Sequence, residues 1–146
     1  MGNGMGSHES ARAQKDEWLT PRSILDPLGR FDLDPCSPIN PPWKIAEATY
    51  DIRDNGLSKP WHGRVWCNPP YGRETGKWLA RLADHGNGIA LVFARTETKM
   101  FFDEVWDKAD GCLFIKGRVR FMNADGTPGK WTGGAPSVLV AYGSYN

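Results

Sequence analysis

Apolar residues along the chain fall into short strand-like runs and longer helix-like stretches, set apart by turns rich in proline, glycine and acids. Val65, Trp66 and Cys67 are β-branched, aromatic and apolar in turn, the make-up of a buried strand. Gly88 to Ala94 (GIALVFA) is apolar throughout, as in a strand covered on both faces of a parallel sheet. SVLVAYG predicts a closing strand, and Glu47 to Tyr50 a weak one. CLFIKGRVRFMNADG predicts a strand running into a hairpin arm, with Gly117 at a bend or bulge and NADG as a turn. Trp78, Leu79, Leu82 and Ala83 recur at helical spacing, with Thr75 a candidate cap and Gly86 the exit. In TETKMFFDEVWDKADG the same spacing turns Phe102, Val105, Trp106 and Ala109 inward. A shorter helix is predicted from Thr20 as N-cap and Pro21 as first helical residue, limited by Pro27 and stopped by Gly29.

Strands alternating with amphipathic helices predict an α/β fold, a mostly parallel sheet with helices on both faces and an antiparallel strand near the C-terminus. Such sheets bind ligands beyond the carboxyl ends of their strands. Two loops fall there, LDPCSP and NPPYG.

The 146 residues predict one domain over 16–146, preceded by a flexible polar tail over 1–15, without room for a separate recognition domain. No apolar run approaches the roughly 20 residues that cross a membrane, so no membrane partner is expected. Cys36, Cys67 and Cys112 are odd in number and widely spaced, which argues against a disulfide framework or a structural metal site and for a reducing cytoplasm. A net charge of +1 points to no nucleic-acid partner by itself; binding one would need a local basic patch.

The stretch VWCNPPYG changes the picture. Pro69 and Pro70 have no N–H for a sheet ladder and fixed φ, so the strand ends in a stiff loop that presents an amide, bare carbonyls and an aromatic ring. That set suits alkylation of an amino group on a heteroaromatic ring, whose lone pair is delocalised and weakly nucleophilic. Acceptors on its two N–H groups, the Asn68 side-chain oxygen and the Pro69 carbonyl, favour a localised lone pair and stabilise the developing positive charge. Tyr71 can stack on the flat base, and no strong general base is needed. The competing reading is a proline-rich turn that merely ends a strand.

Asn68-Pro69-Pro70-Tyr71 after a strand resembles the catalytic motif of amino-group methyltransferases that use S-adenosylmethionine. With DEWLTP, LGRFDLDPCSP, DNGLSKPW, ARTETKMFF and IKGRVRF in the same order, the chain from Asp16 to Tyr142 resembles the small phage-type DNA adenine-N6 methyltransferases. That resemblance implies a Rossmann-like class I sheet, S-adenosylmethionine as cofactor, double-stranded DNA as substrate, and the bacterial cytoplasm as the setting of a phage- or prophage-encoded enzyme. It places Asp34 near the cofactor's amino group, with Pro35 and Cys36 shaping its pocket, although DPCSPINPP lacks the glycine such families usually carry there. It also implies that Trp18 covers the cofactor and that Thr20 and Pro21 meet its carboxylate end. Asp51 and Asp54 fall where ribose- and adenine-contacting residues lie, Asp51 standing 17 positions after Asp34. The alternatives are an Asx turn at Asp34, a plain cap at Thr20, plain core at Trp18 and solvated loop acids at 51 and 54.

A base must leave the duplex for this chemistry. Arg73, Arg95 with Lys99, and Lys116 with Arg118 and Arg120 are the candidate phosphate contacts. Arg118 and Arg120 alternate with Val119 and Phe121 and so point to one face, which equally suits a solvated edge. Arg95 has Glu97 as an alternative partner, and His62 and His85 are given no role. The short chain predicts a short or relaxed sequence preference, or recognition shared across a homodimer. Methylation of an RNA or protein nitrogen, and an inactive DNA-binding relative, are the competing functions.

Overall fold

The computed structural model describes residues 19–130 and 134–146; the tail expected over 1–15 and Trp18 lie outside the described residues. Six strands form one sheet: β1 (Leu33–Asp34), β2 (Ala48–Thr49), β3 (Val65–Cys67), β4 (Gly88–Phe93), β5 (Gly111–Phe114) and β6 (Ser137–Tyr142). Their spatial order is β2-β1-β3-β4-β6-β5. The first four are mutually parallel, β6 runs antiparallel to β4, and β5 runs antiparallel to β6. The architecture is therefore mixed α/β. The strand predicted from VWC has the observed limits, because Pro69 and Pro70 forbid its extension.

One face of the sheet carries α2 (Thr75–His85) and α3 (Lys99–Phe101), which continues into a wide π turn over Phe102–Trp106. Trp78, Leu79 and Leu82 of α2 pack with Phe101, Val105 and the inward residues of β3, β4 and β6. Gly86 ends α2 with φ +76, a conformation that costs a glycine little. On the opposite face, Leu25 of the short α1 (Arg22–Leu25) joins Phe31, Ala46, Val119 and Phe121 over Trp66, Ile89 and Leu91. That face is thus covered mostly by extended chain rather than by a long helix.

Three expectations need correction. The helix near Thr20 begins at Arg22, so Pro21 occupies the cap position and Thr20 lies one residue too early to cap it. A short 3-10 turn, Asp26–Leu28, then ends at Gly29, as the Pro27 and Gly29 positions predict. In α3, Phe101 and Val105 are buried, whereas Phe102 and Trp106 are about half exposed. Adjacent Phe101 and Phe102 fit two helical phases, and the phase chosen is 101/105/109, with Ala109 packed at its end. Finally, Arg118 to Phe121 forms no ladder strand; its neighbour Met122 makes isolated antiparallel bridges with Leu19 and, across the predicted NADG turn, with Pro128. Among the described residues, no helix is long and apolar enough to cross a membrane.

Candidate active site

The chain leaves β1 to build β2 on one side and then returns to build β3 on the other. Loops that depart in opposite directions open a crevice at this switch point, where open parallel sheets bind ligands. Asp34 ends β1 and Asn68 follows β3, so these two side chains flank the crevice.

Asn68 Nδ2 donates to Thr20 Oγ1 at 3.3 Å, and Thr20 is buried. This bond orients the amide and leaves its other end, Asn68 Oδ1, buried without a hydrogen-bond partner among the described residues. Buried acceptors are almost always satisfied, since desolvating one without a donor costs about 1–3 kcal/mol. An orphaned acceptor at a crevice mouth is thus a place prepared for an N–H that the described residues do not supply. The loop is stiffened from below: Thr75 Oγ1 donates to the Pro70 carbonyl at 2.6 Å. Thr75 is the first residue of α2 and serves the loop rather than capping the helix, whose cap position is Glu74.

Asp34 is 1% exposed, and its Oδ1 accepts the Cys36 N–H at 3.1 Å. The Asx turn foreseen as an alternative is therefore present, inside the crevice. Burial pushes the Asp34 carboxyl up to about 7, while the Cys36 N–H pulls it part of the way back. Burial also raises the Cys67 thiol well above its usual range, with Cys36 and Asp34 adding to the effect, which places all three groups in one neighbourhood. The loop after Asp34 is instead held by a close contact from a distant glycine. Gly56 packs so closely that a Cβ there would lie 2.0 Å from the Pro35 carbonyl oxygen.

Asp51 and Asp54 share one loop beyond β2: Asp54 Oδ2 accepts the Asp51 N–H at 3.0 Å. The Asp51 carboxylate is chelated by Arg53, through Nε at 3.0 Å and Nη2 at 2.6 Å. Those hydrogen bonds hold its pKa down to about 2. The loop is tied to the crevice through Tyr50, whose N–H donates to the Asp34 carbonyl.

On the far side of the Asn68–Tyr71 loop lies a cleft of about 350 Å³, walled by Tyr71, Arg73, Phe93, Arg95, Thr98 and Met100. The Tyr71 ring stacks on Phe93 at 4.3 Å and 11°, and it meets Phe121 edge-on at 6.3 Å. One face of Tyr71 is therefore already taken. The Arg95 guanidinium lies over the same Phe93 ring at 5.9 Å. Arg73, Lys116, Arg118 and Arg120 are exposed, and Val119 and Phe121 are buried between them, so the predicted alternation holds without a ladder. Lys99 is paired with Asp103. Phe93, Phe121 and Gly56 had no signal of their own in the sequence, because only tertiary packing brings them to the loop.

A buried orphan acceptor and a buried carboxyl thus stand at the switch point of an α/β sheet, beside an Asn-Pro-Pro-Tyr loop. The chain matches the family model of DNA N-6-adenine-methyltransferase (Dam) over residues 7–146, nearly its whole length, and belongs to that family. It is thereby placed among the DNA adenine methyltransferases, a family that generally uses S-adenosylmethionine. No curated protein and no solved structure matches it at a comparable level.

Proposed function

We propose that this protein methylates N6 of an adenine flipped out of double-stranded DNA, with S-adenosylmethionine as donor, on a Rossmann-like sheet and with short or relaxed sequence preference. The observation that carries this reading is Asn68 Oδ1, a buried acceptor without a donor among the described residues, at the mouth of the crevice. An amino group of adenine supplies the missing N–H. Thr20 holds the Asn68 amide by its nitrogen, so that oxygen rather than nitrogen faces the substrate.

The residues present also fit the cofactor. Asp34 is a carboxyl made costly to ionise by burial, and a cation placed beside it would restore its charge. The cofactor's α-amino group is such a cation, and when bound the cofactor supplies an electrophilic methyl group. Asp34 then binds that amino group, Pro35 and Cys36 wall the pocket, and Thr20 and Pro21 close its carboxylate end. Asp51 and Asp54 offer acceptors beyond β2 for ribose and adenine. Asn68 Oδ1 and the Pro69 carbonyl accept the two N6–H bonds as positive charge grows on nitrogen, and the acidified proton leaves to water. Tyr71, braced by Phe93, stands beside the Asn68 acceptor as the aromatic ring against which the base would lie. Arg73 and Arg95 line that opening and suit phosphate contact, with the exposed Arg118, Arg120, Lys116 and Lys99 as further candidate contributors. The setting this implies is the cytoplasm of a bacterium, with the enzyme encoded by a phage or prophage.

The test is to incubate purified protein with S-adenosylmethionine and unmethylated plasmid DNA, digest the DNA and analyse the nucleosides by mass spectrometry. N6-methyl-2′-deoxyadenosine is expected. Methylated cytosine would keep the amino chemistry and overturn the choice of base. Transfer to RNA or protein alone would overturn the substrate.

A further inference from the structure

We propose that Thr20 is a positioning residue that decides which end of the Asn68 amide faces the crevice, and that the cofactor's carboxylate controls it by accepting the Thr20 hydrogen. The inference rests on the methyl-transfer reading and extends it to the order in which the two ligands are accepted.

Thr20 is 1% exposed, and its one side-chain hydrogen bond among the described residues is with Asn68, whose Nδ2 donates to Oγ1 at 3.3 Å. Both residues are held in place. Leu19 exchanges both backbone hydrogen bonds with Met122, at 3.0 and 2.9 Å, and Pro21 has a fixed φ on the other side. Asn68 leads into two prolines, the second of which gives its carbonyl to Thr75. Thr20 is also free of the usual local task of a threonine before a helix, since Pro21 occupies the cap position.

A hydroxyl has one hydrogen to donate and two lone pairs that accept, so it can meet a primary amide in two ways. In the way observed, Thr20 accepts from Asn68 Nδ2, and Asn68 Oδ1 is left for the substrate. The Thr20 hydrogen then needs an acceptor of its own, and none of the described residues provides one. In the other way the amide is turned over. Thr20 donates to Oδ1, and the NH2 group faces the crevice, where an amine N–H would meet a donor instead of an acceptor. The second pairing satisfies the hydroxyl and disables the site; the first does the reverse. Whatever accepts the Thr20 hydrogen therefore selects the competent pairing.

That acceptor has to lack hydrogens of its own, and an anion serves best because charge-assisted hydrogen bonds are the stronger kind. The carboxylate of the cofactor, which Thr20 and Pro21 close off in the proposed complex, meets both demands. A hydroxyl that donates to an anion also becomes a better acceptor, so its bond to Nδ2 tightens. The cofactor thus prepares the acceptor for the base, and a bound amine strengthens the hold on the carboxylate in return.

The test compares two ligands on the isotope-labelled full chain by nuclear magnetic resonance. S-adenosylhomocysteine carries the carboxylate, and methylthioadenosine lacks the amino-acid end. The Asn68 side-chain amide signal, identified by its loss in Asn68→Ala, should shift and exchange its hydrogens more slowly with the first ligand only. Thr20→Val keeps the branched shape without the hydroxyl and should abolish that response. It should also lower kcat about 10- to 100-fold at saturating S-adenosylmethionine, and Thr20→Ser should recover most of the loss. In an Asn68→Ala background, Thr20→Val should change kcat less than about twofold, because the group it positions is gone. If Thr20→Val fails to fold, the two ligands on the unaltered chain still decide. Binding of S-adenosylhomocysteine that leaves the Asn68 amide unmoved would overturn this inference and spare the methyl-transfer reading. Equal losses from Thr20→Val in both backgrounds would do the same. No binding of S-adenosylhomocysteine at all would overturn both.

Discussion

On one side of the Asn68–Tyr71 loop, Thr20, Asp34 and the Asn68 side-chain oxygen are polar groups held out of water; on the other, Arg73 and Arg95 stand at the surface beside an aromatic stack, and Arg118 and Arg120 are exposed as well. On the buried side each group gains or loses a large desolvation term with its contacts. The exposed side works through charges that water and salt screen, and it tolerates variation. Chemistry is therefore expected to depend on single atoms in the crevice, and DNA affinity on a sum of small terms outside it.

The sharpest way to break this comparison is Asn68→Ala. Removing one acceptor that acts mainly in the transition state should lower kcat about 10²–10³-fold while cofactor binding persists. Near-normal turnover would show that the orphaned oxygen is incidental. Next in size is Gly56→Ala. Its Cβ would be driven into the Pro35 carbonyl, so the backbone must move, and the expected loss is about 3 kcal/mol or more in a denaturant titration. An unchanged midpoint would mean that the Asp34–Cys36 loop is not held from behind.

Asp34 gives a pH prediction of intermediate size. Its carboxyl titrates near 7 in the folded chain, against 3.8 for the same group in water. Between those values the folded protein keeps a proton that the unfolded chain has released. Stability from this group is thus fully present at the acid end, falls as pH rises towards 7, and is flat above. Cofactor affinity should run the other way, since the ionised form binds the amino group: about tenfold weaker at pH 6 than at pH 8. Calorimetric titration at several pH values would show it, and Asp34→Asn should weaken binding and flatten the profile. The smallest effect belongs to Arg118→Ala or Arg120→Ala. Each should weaken DNA binding evenly across sequences and lower the salt slope by about 1. A change confined to one target sequence would mean base reading rather than phosphate contact.

What the sequence made legible follows from locality. Two prolines end β3 whatever surrounds them, and the Trp78–Leu82 periodicity with Gly86 delimits α2 by rules internal to that segment. The Asn68–Tyr71 loop could be read for the same reason, because its chemistry is carried by adjacent residues. Thr20 was placed near the site, but its bond to Asn68 spans 48 positions and no local pattern announces it. The Arg53 clasp on Asp51 was legible in principle from a spacing of two, yet nothing distinguished it from a solvated loop. The phase of α3 was misread where Phe101 and Phe102 stand side by side, since only the packed sheet decides which of two equal rings turns inward.

The position of β6 has a consequence for biosynthesis. It is the last of the six strands to be made, yet it sits between β4 and β5, sealing both. Until Ser137–Tyr142 arrives, β4 shows an open edge of apolar residues and β5 has no neighbour. Such long-range pairing slows folding and leaves sticky edges waiting in the nascent chain. The yield of active protein should therefore respond to chaperone supply and growth temperature more than its small size suggests.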